Sequence, residues 1–219
     1  MIKDLVILGA GGFGREASLL VEEINKTGPD EGKWNLLGFI DEDESKWGLQ
    51  LRGYPVLGGW EALEALPAGA AVICVVGEPE DKKKLVERAA AQERQFATLI
   101  HPEVELSGDV SIGTGVLINK GCLLTTNIKI GNHVSVNPGC GIGHDAVIGA
   151  YTTLMWRVNV SGAVKVGEGC MIGSGATVLQ EKSIGDWAVI GAGAVVTKDL
   201  PAQVTAAGVP ALVIKTRER

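Results

Sequence analysis

Residues 106–196 read LSGDVSIGTGVLINKGCLLTTNIKIGNHVSVNPGCGIGHDAVIGAYTTLMWRVNVSGAVKVGEGCMIGSGATVLQEKSIGDWAVIGAGAVV. An aliphatic residue returns at every sixth position: Leu106, Ile112, Ile118, Leu124, Ile130, Val136, Ile142, Ile148, Leu154, Val160, Val166, Ile172, Val178, Ile184, Ile190 and Val196. No register is missed. Two residues before each runs a second column of mostly small or apolar residues, from Val104, Val110, Val116 and Cys122 to Ala188 and Ala194. Residues two apart on a strand share a face, so both columns line one buried side. A helix would ask for apolar spacing near 3.6, and an antiparallel sheet for turns of varied length. A fixed six-residue period instead marks a parallel β-helix, and three sides per turn make this run about five coils. Glycine often follows the aliphatic residue, as in Ile-Gly at 112–113, 130–131, 142–143, 148–149, 172–173, 184–185 and 190–191. That position is read as the corner between two sides, where positive φ is cheap for Gly and tolerable for Asn.

Residues 1 to about 101 follow another pattern. Leu5-Val6-Ile7-Leu8 reads as a short buried strand, followed by Gly9-Ala10-Gly11-Gly12-Phe13-Gly14 and a helical pattern from Arg15 to about Lys26. A G-x-G-x-x-G between strand and helix lets the backbone approach a pyrophosphate, which the helix N-terminus favours with free N–H groups. Strands are expected at Leu36–Ile40, ending on Asp41, whose carboxylate is placed to reach a sugar or base hydroxyl, and at Ala71–Val76 before a charged helix from Pro79 to about Gln92. The unit is about half a full dinucleotide-binding domain, too small to hold a nicotinamide as well. It therefore reads as a Rossmann-like βαβ domain for a nucleotide or nucleotide sugar, the alternative being a glycine turn that only packs helix against strand.

Composition narrows the partners. A net charge of −6 and a pI near 5.2, with no basic run, exclude nucleic acid as a partner. With no apolar segment of membrane length and no signal-peptide pattern, the chain reads as a soluble cytoplasmic protein without membrane insertion. Cys122, Cys140 and Cys170 fall in the small inward column and Cys74 in an apolar run, so all four read as buried free thiols rather than disulfides or metal ligands.

The combination of Gly-Ala-Gly-Gly-Phe-Gly-Arg-Glu at 9–16, Gly38-Phe39-Ile40-Asp41, Gly53-Tyr54-Pro55-Val56-Leu57-Gly58-Gly59, the hexapeptide repeat and Gly208-Val209-Pro210-Ala211 resembles the sugar O/N-acyltransferases, the group of sialic acid O-acetyltransferases and bacillosamine or perosamine N-acetyltransferases. The resemblance covers nearly the whole chain. It implies a left-handed coil, against the usual crossover preference. It divides the chain into a nucleotide-sugar-binding domain at 1–101, a β-helix acyltransferase domain at 102–198 and a tail at 199–219. It also implies a homotrimer, with acetyl-CoA as co-substrate in the groove between neighbouring β-helices. The reaction implied is N-acetylation of a nucleotide-linked amino sugar, UDP- or GDP-bearing, in bacterial surface glycan biosynthesis. O-acetylation of a sugar of the sialic acid type is the alternative within the family.

The same resemblance assigns candidate roles. His144 follows Ile142-Gly143 at a corner of the prism, which by multiples of eighteen it shares with Thr126 and Gly162. It stands where the family has its catalytic base. An imidazole with an ordinary pKa near ~6.5 is suited to take a proton from an attacking amine or hydroxyl. Asp145 is its neighbour, suited to orient the ring. Asn137 matches a polar position of the family's active site, the alternative being a corner Asn with positive φ stacked over Asn119. By family position, Gly162 offers its N–H to the oxyanion, and Ser174 and Ala192 line the CoA arm. Gly9, Gly11, Gly12, Phe13, Gly14 and Asp41 form the expected nucleotide-sugar site. Two departures stand out: Thr153, a histidine in some relatives, and Met155-Trp156-Arg157, where a corner glycine is usual. Trp156 and Arg157 read as shaping the acceptor or CoA pocket, or as packing between subunits.

Two rival classes can be weighed on the residues. A zinc hydratase on the same scaffold needs three converging histidines. His133 and His144 fall at different corners, and His101 precedes the repeat, so no metal is expected. A non-catalytic nucleotide-sugar-binding or scaffold protein is the second rival, which a His144→Ala variant that still acetylates, or a wild type that never binds CoA, would favour. No serine or cysteine pairs with His144 by a recognisable motif, which argues for direct transfer in a ternary complex rather than a covalent acyl-enzyme. Intact-protein mass spectrometry after mixing with acetyl-CoA alone should therefore find no acetyl adduct; a stoichiometric one would exclude direct transfer.

Overall fold

The computed structural model describes residues 2–27 and 32–216. They form two compact units that divide between residues 102 and 103, with the short piece 78–80 grouped with the second.

The first unit is a five-stranded sheet of β1 (Lys3–Leu8), β2 (Trp34–Ile40), β3 (Gln50–Leu51), β4 (Tyr54–Gly58) and β5 (Ala71–Cys74), in the order β3-β4-β2-β1-β5. All neighbours run parallel except β3 and β4. The interior strand β1, between β2 and β5, buries Leu5, Val6, Ile7 and Leu8 almost completely, which explains their unbroken apolar run. Helix α1 (Gly12–Thr27) turns Ala17, Leu20, Val21 and Ile24 inward at helical spacing, and Lys26 meets the negative end of its dipole. Helices α2 (Trp60–Glu64) and α3 (Pro79–Ala91) complete the unit.

The second unit is the parallel β-helix. Two-residue strands repeat every six residues from Ser111–Ile112 to Val195–Val196, distributed in turn over three sheets. Up to the last coil, each strand pairs in parallel with the strand eighteen residues on: Lys129 with Val147 and then Lys165, Ser135 with Thr153 and then Met171. Five strands of this series lie on each side, the five coils expected. Both inward columns are sealed, and Val116, Ile118, Ile128, Val134, Val136 and Cys170 have no exposure. Leu106, at the open first coil, keeps 40%. The expected tail continues the prism: Val204–Ala207 adds in parallel to the strand Val189–Ile190, and Leu212–Thr216 folds back antiparallel on it. Residues 217–219 of that tail lie outside the described residues.

One expectation about the corners is corrected. Positive φ falls three residues after each aliphatic position, not one: at Gly115, Gly121, Asn127, His133, Gly139, Asp145, Tyr151, Arg157, Ala163, Gly169, Gly175, Glu181, Trp187 and Gly193. The glycine directly after the aliphatic residue is there for space. A Cβ on Gly149 would lie 2.3 Å from the Gly167 carbonyl carbon, and one on Gly173 would lie 2.5 Å from the Ala192 nitrogen. The next coil's backbone passes through the volume a side chain would need. Gly175 has positive φ but open space around it, so Gly175→Ala should lower the melting temperature of the full chain by about 2–8 °C, the cost of one left-handed residue. Gly149→Ala should lower it at least twice as far, because backbone must move to admit the methyl group; equal shifts would refute the packing account.

Candidate active site

The chemistry-bearing side chains of the β-helix sit on its corners, and register decides which of them meet. A residue stacks on those eighteen before and after it. His144 therefore lies between Thr126 and Gly162. The Gly162 position is held so close to the ring that a Cβ there would be 2.4 Å from His144 Nε2. Only glycine leaves the ring this seat. The Gly162 carbonyl accepts from the Glu181 N–H at 3.0 Å, while its own N–H makes no backbone hydrogen bond among the described residues.

His144 Nδ1 lies 2.7 Å from Asp145 Oδ2, with side-chain exposures of 63% and 51%. Adjacent residues reach each other because Asp145 takes the left-handed corner conformation, φ 61°. The His144 hydrogen bond, and after it one from Asn127, hold the Asp145 carboxyl below the usual carboxylate range. Against an ionised carboxylate the proton belongs on Nδ1, which leaves the Nε2 lone pair available to accept a proton.

Not every sequence candidate joins this corner. Asn137 is 3% exposed, is not among the positive-φ residues, and donates from Nδ2 to the Leu154 carbonyl at 3.0 Å. Its amide is thus spent inside the coil. Ser174 and Ala192 are exposed but stand on another corner, in the column of Pro138 and Trp156; Trp156 is 46% exposed. Within one chain they do not meet His144. Thr153, at a departure from the family pattern, is fully buried. His133 lies on the third corner, 6% exposed, its ring stacked on Tyr151 at 5.2 Å. All four cysteines are free and buried; burial pushes the Cys74 and Cys170 thiols up to about 11, which disfavours a thiolate at those two, while a hydrogen bond with Cys140 lowers the pKa of the buried Cys122 thiol. No group of three or more His, Cys, Asp or Glu that would hold a metal is found among the described residues.

In the first unit the glycines separate into two kinds. A Cβ on Gly14 would fall 2.1 Å from the Gly9 carbonyl oxygen, so this glycine lets α1 approach β1. Gly11 has nothing within 4 Å of such an atom, and Gly12 only the end of Arg15. Both are exposed, Phe13 is half-buried, and packing gives no reason for their lack of a side chain. They open the first turn of α1, where N–H groups lack helical partners. Asp41 faces the same loop, with Oδ2 accepting from the Ala10 N–H at 2.7 Å. Oδ1 accepts from Asp43 N–H at 3.0 Å and from Lys46 Nζ at 3.1 Å, and this pairing raises the Lys46 ammonium pKa. The carboxylate thus shapes the loop rather than standing free for a ligand hydroxyl.

Beside it a crevice of about 140 Å³ is lined by Leu8, Gly9, Ile40, Glu42, Trp60 and Val76 among others. It opens at the carboxyl ends of β1, β2 and β5, where strand order reverses and ligands of open α/β sheets bind. Sequence reading missed Glu42 and Trp60. Trp60 Nε1 donates to Glu42 Oε1 at 2.7 Å, and the Arg88 guanidinium lies 4.3 Å over the Trp60 ring. Their one signal was that Glu42 follows the strand-ending Asp41.

Comparison with known proteins agrees with this architecture. Residues 4–89 match the PglD N-terminal domain model. The chain is 38% identical over 130 residues to the chloroplastic serine acetyltransferase 1 of Arabidopsis thaliana, a match spanning 56% of this chain and only 38% of that curated relative's length. Solved structures align end to end. PerB from Caulobacter crescentus, in complex with CoA and GDP-perosamine, superposes with a TM-score of 0.85 at 30% identity over 98% of this chain and 99% of that one. The acetyltransferase domain of PglB from Neisseria gonorrhoeae, in complex with acetyl coenzyme A, gives 0.86 at 27% identity over 98% and 100%. WeeI from Acinetobacter baumannii gives 0.82 at 32% identity over 96% and 99%. With two such relatives matched over essentially their whole length, on the glycine-loop domain as well as the coil, the chain belongs to the sugar acyltransferase family of left-handed β-helix proteins that holds the perosamine and bacillosamine N-acetyltransferases.

Proposed function

We propose that the protein transfers an acetyl group from acetyl-CoA to the amine of a nucleotide-linked amino sugar, directly and without a metal. One observation carries the reading: an exposed imidazole whose Nδ1 is tied to a carboxylate at 2.7 Å and whose Nε2 edge lies over a glycine with an uncommitted N–H. The sugar amine attacks the thioester carbonyl carbon while His144 Nε2 takes the proton that the nitrogen sheds, and Asp145 balances the imidazolium that forms. The carbonyl oxygen becomes an oxyanion beside the Gly162 N–H. Collapse then breaks the carbon–sulfur bond, and the CoA sulfur leaves with the proton returned from His144. The open glycines at the start of α1 receive the diphosphate of the acceptor, and the adjoining crevice its nucleoside.

Ser174 and Ala192 line the CoA arm in this reading. Because they lie on a different corner from His144, the reaction needs two copies, His144 of one facing the arm of the next, and a homotrimer supplies three such grooves. The nucleotide-bearing relatives and the glycine loop together favour N-acetylation in the cytoplasm, on the route to a bacterial surface glycan. Screening UDP-, GDP-, dTDP- and CMP-linked amino sugars with acetyl-CoA, while following free thiol release, tests this; no release with any member of the panel would refute it.

Two predictions separate chemistry from packing. His144→Ala should lower kcat about 10²- to 10⁴-fold, and Gly162→Ala about 10²-fold by displacing the ring, with CoA binding by calorimetry retained in both; loss of binding in step with kcat would point to misfolding. Gly11→Val should melt like the wild type yet bind nucleoside diphosphate at least tenfold more weakly. Gly14→Ala should instead lose stability, since its methyl group would collide with the Gly9 carbonyl. If Gly11→Val binds normally, the loop is a packing device only.

A further inference from the structure

Beneath His144 and Asp145 the corner continues as a ladder. Residues 109, 127, 145 and 163 stack at intervals of eighteen and read Asp, Asn, Asp, Ala. Asn127, left-handed at φ 52°, donates from Nδ2 to Asp145 Oδ1 at 2.6 Å. Asp145 Oδ2 is the oxygen that meets His144 Nδ1. The two carboxylate oxygens therefore have separate donors, and the amide leaves only one of them to the ring. On the other side of Asn127, Asp109 accepts from the Ser107 hydroxyl, from Thr126 Oγ1 at 2.5 Å and from the Asn127 backbone N–H. Asn127 is thus the one neutral rung between two carboxylates.

We propose that Asn127 is a positioning residue for acyl transfer: its side-chain amide fixes the plane of Asp145 so that the second oxygen holds His144 as the Nδ1–H tautomer, and its neutrality keeps the charge of Asp109 one rung from the base. The inference rests on the reading of His144 as the general base. An aspartate at 127 would tolerate the same backbone conformation, but would present an acceptor to an acceptor and add a third stacked carboxylate. The tie to Asp145 would be lost and extra negative charge would stabilise the imidazolium. The charged groups that act on Asp145 are His144 and Asp109. Lys129 and Lys165 stand exposed on the flat side that follows this corner.

The test is the pH profile of kcat for the full-length enzyme. Asn127→Asp should lower kcat about three- to tenfold, the worth of one oriented hydrogen bond, and should move the acidic limb upward by roughly half a pH unit. Adding Asp109→Asn should return that limb towards the wild-type position. Asn127→Gly, which removes the amide without straining the corner, should lower kcat similarly with no upward shift. Wild-type kcat and an unmoved limb in both Asn127 variants, alongside an inactive His144→Ala, would overturn the positioning role alone. A His144→Ala variant that still transfers acetyl groups would overturn the base assignment beneath it.

Discussion

The hydrogen-bond ladder between successive coils is the constraint from which the rest of the β-helical unit follows. Backbone N–H groups on the flat sides donate to a carbonyl seventeen residues on: Ser111 to Ile128, Leu117 to Val134, Lys129 to Ala146. An unpaired backbone group inside a coil would be costly, so no coil can gain or lose a residue without breaking this pattern. Register then becomes an address. A side chain's neighbours along the prism are the residues eighteen before and after it. This is why His144 has glycine on one side and why Asp145 has an amide donor on the other, although none of these partners is near in sequence.

The same ladder explains a cost that the sequence pattern hides. Fourteen successive corners take a left-handed residue, and eight of them are not glycine. Such a conformation costs an L-residue about 1–2 kcal/mol, and the chain accepts it because each corner turns the backbone into another row of coil-to-coil hydrogen bonds. Several of these residues use the position. Asp145 bends back onto its neighbour's ring, Asn127 reaches the coil above, and His133 stacks on Tyr151. Strain here coincides with the candidate site only at the corner of His144 and Asp145; at the others it is the ordinary geometry of the coil.

The period of six was legible at once, because it is carried by apolar volume: a misplaced Ile or Val would be exposed. The corner conformation was not, because glycine has two uses. A sequence cannot distinguish a glycine kept for its φ, such as Gly175, from one kept because the next coil's backbone fills its side-chain volume, such as Gly149. The glycine loop had the mirror problem. Six residues were marked for ligand binding, yet Gly14 serves the packing of α1, and Asp41 is engaged by Ala10, Asp43 and Lys46. Gly11 and Gly12 are the members whose missing side chains the protein itself does not explain. Asn127 was reachable by the arithmetic that linked His144 to Gly162, applied one residue later. It was passed over because an asparagine at a corner is explained by backbone preference alone.

The columns also set a limit on what one chain can do. Each edge of the prism carries residues that differ by multiples of eighteen, so His144 and Gly162 share an edge while Ser174 and Ala192 share another. A prism held in register by the ladder cannot fold one edge onto another, because its interior is packed with Val116, Ile118, Ile128 and Val134 at zero exposure. In the proposed reaction, a donor arm along Ser174 and Ala192 is therefore delivered to the histidine of a different copy. Under the proposed reaction the two edges belong to two copies of the chain, because the same rigidity that keeps the imidazole seated over Gly162 holds Ser174 and Ala192 on another edge.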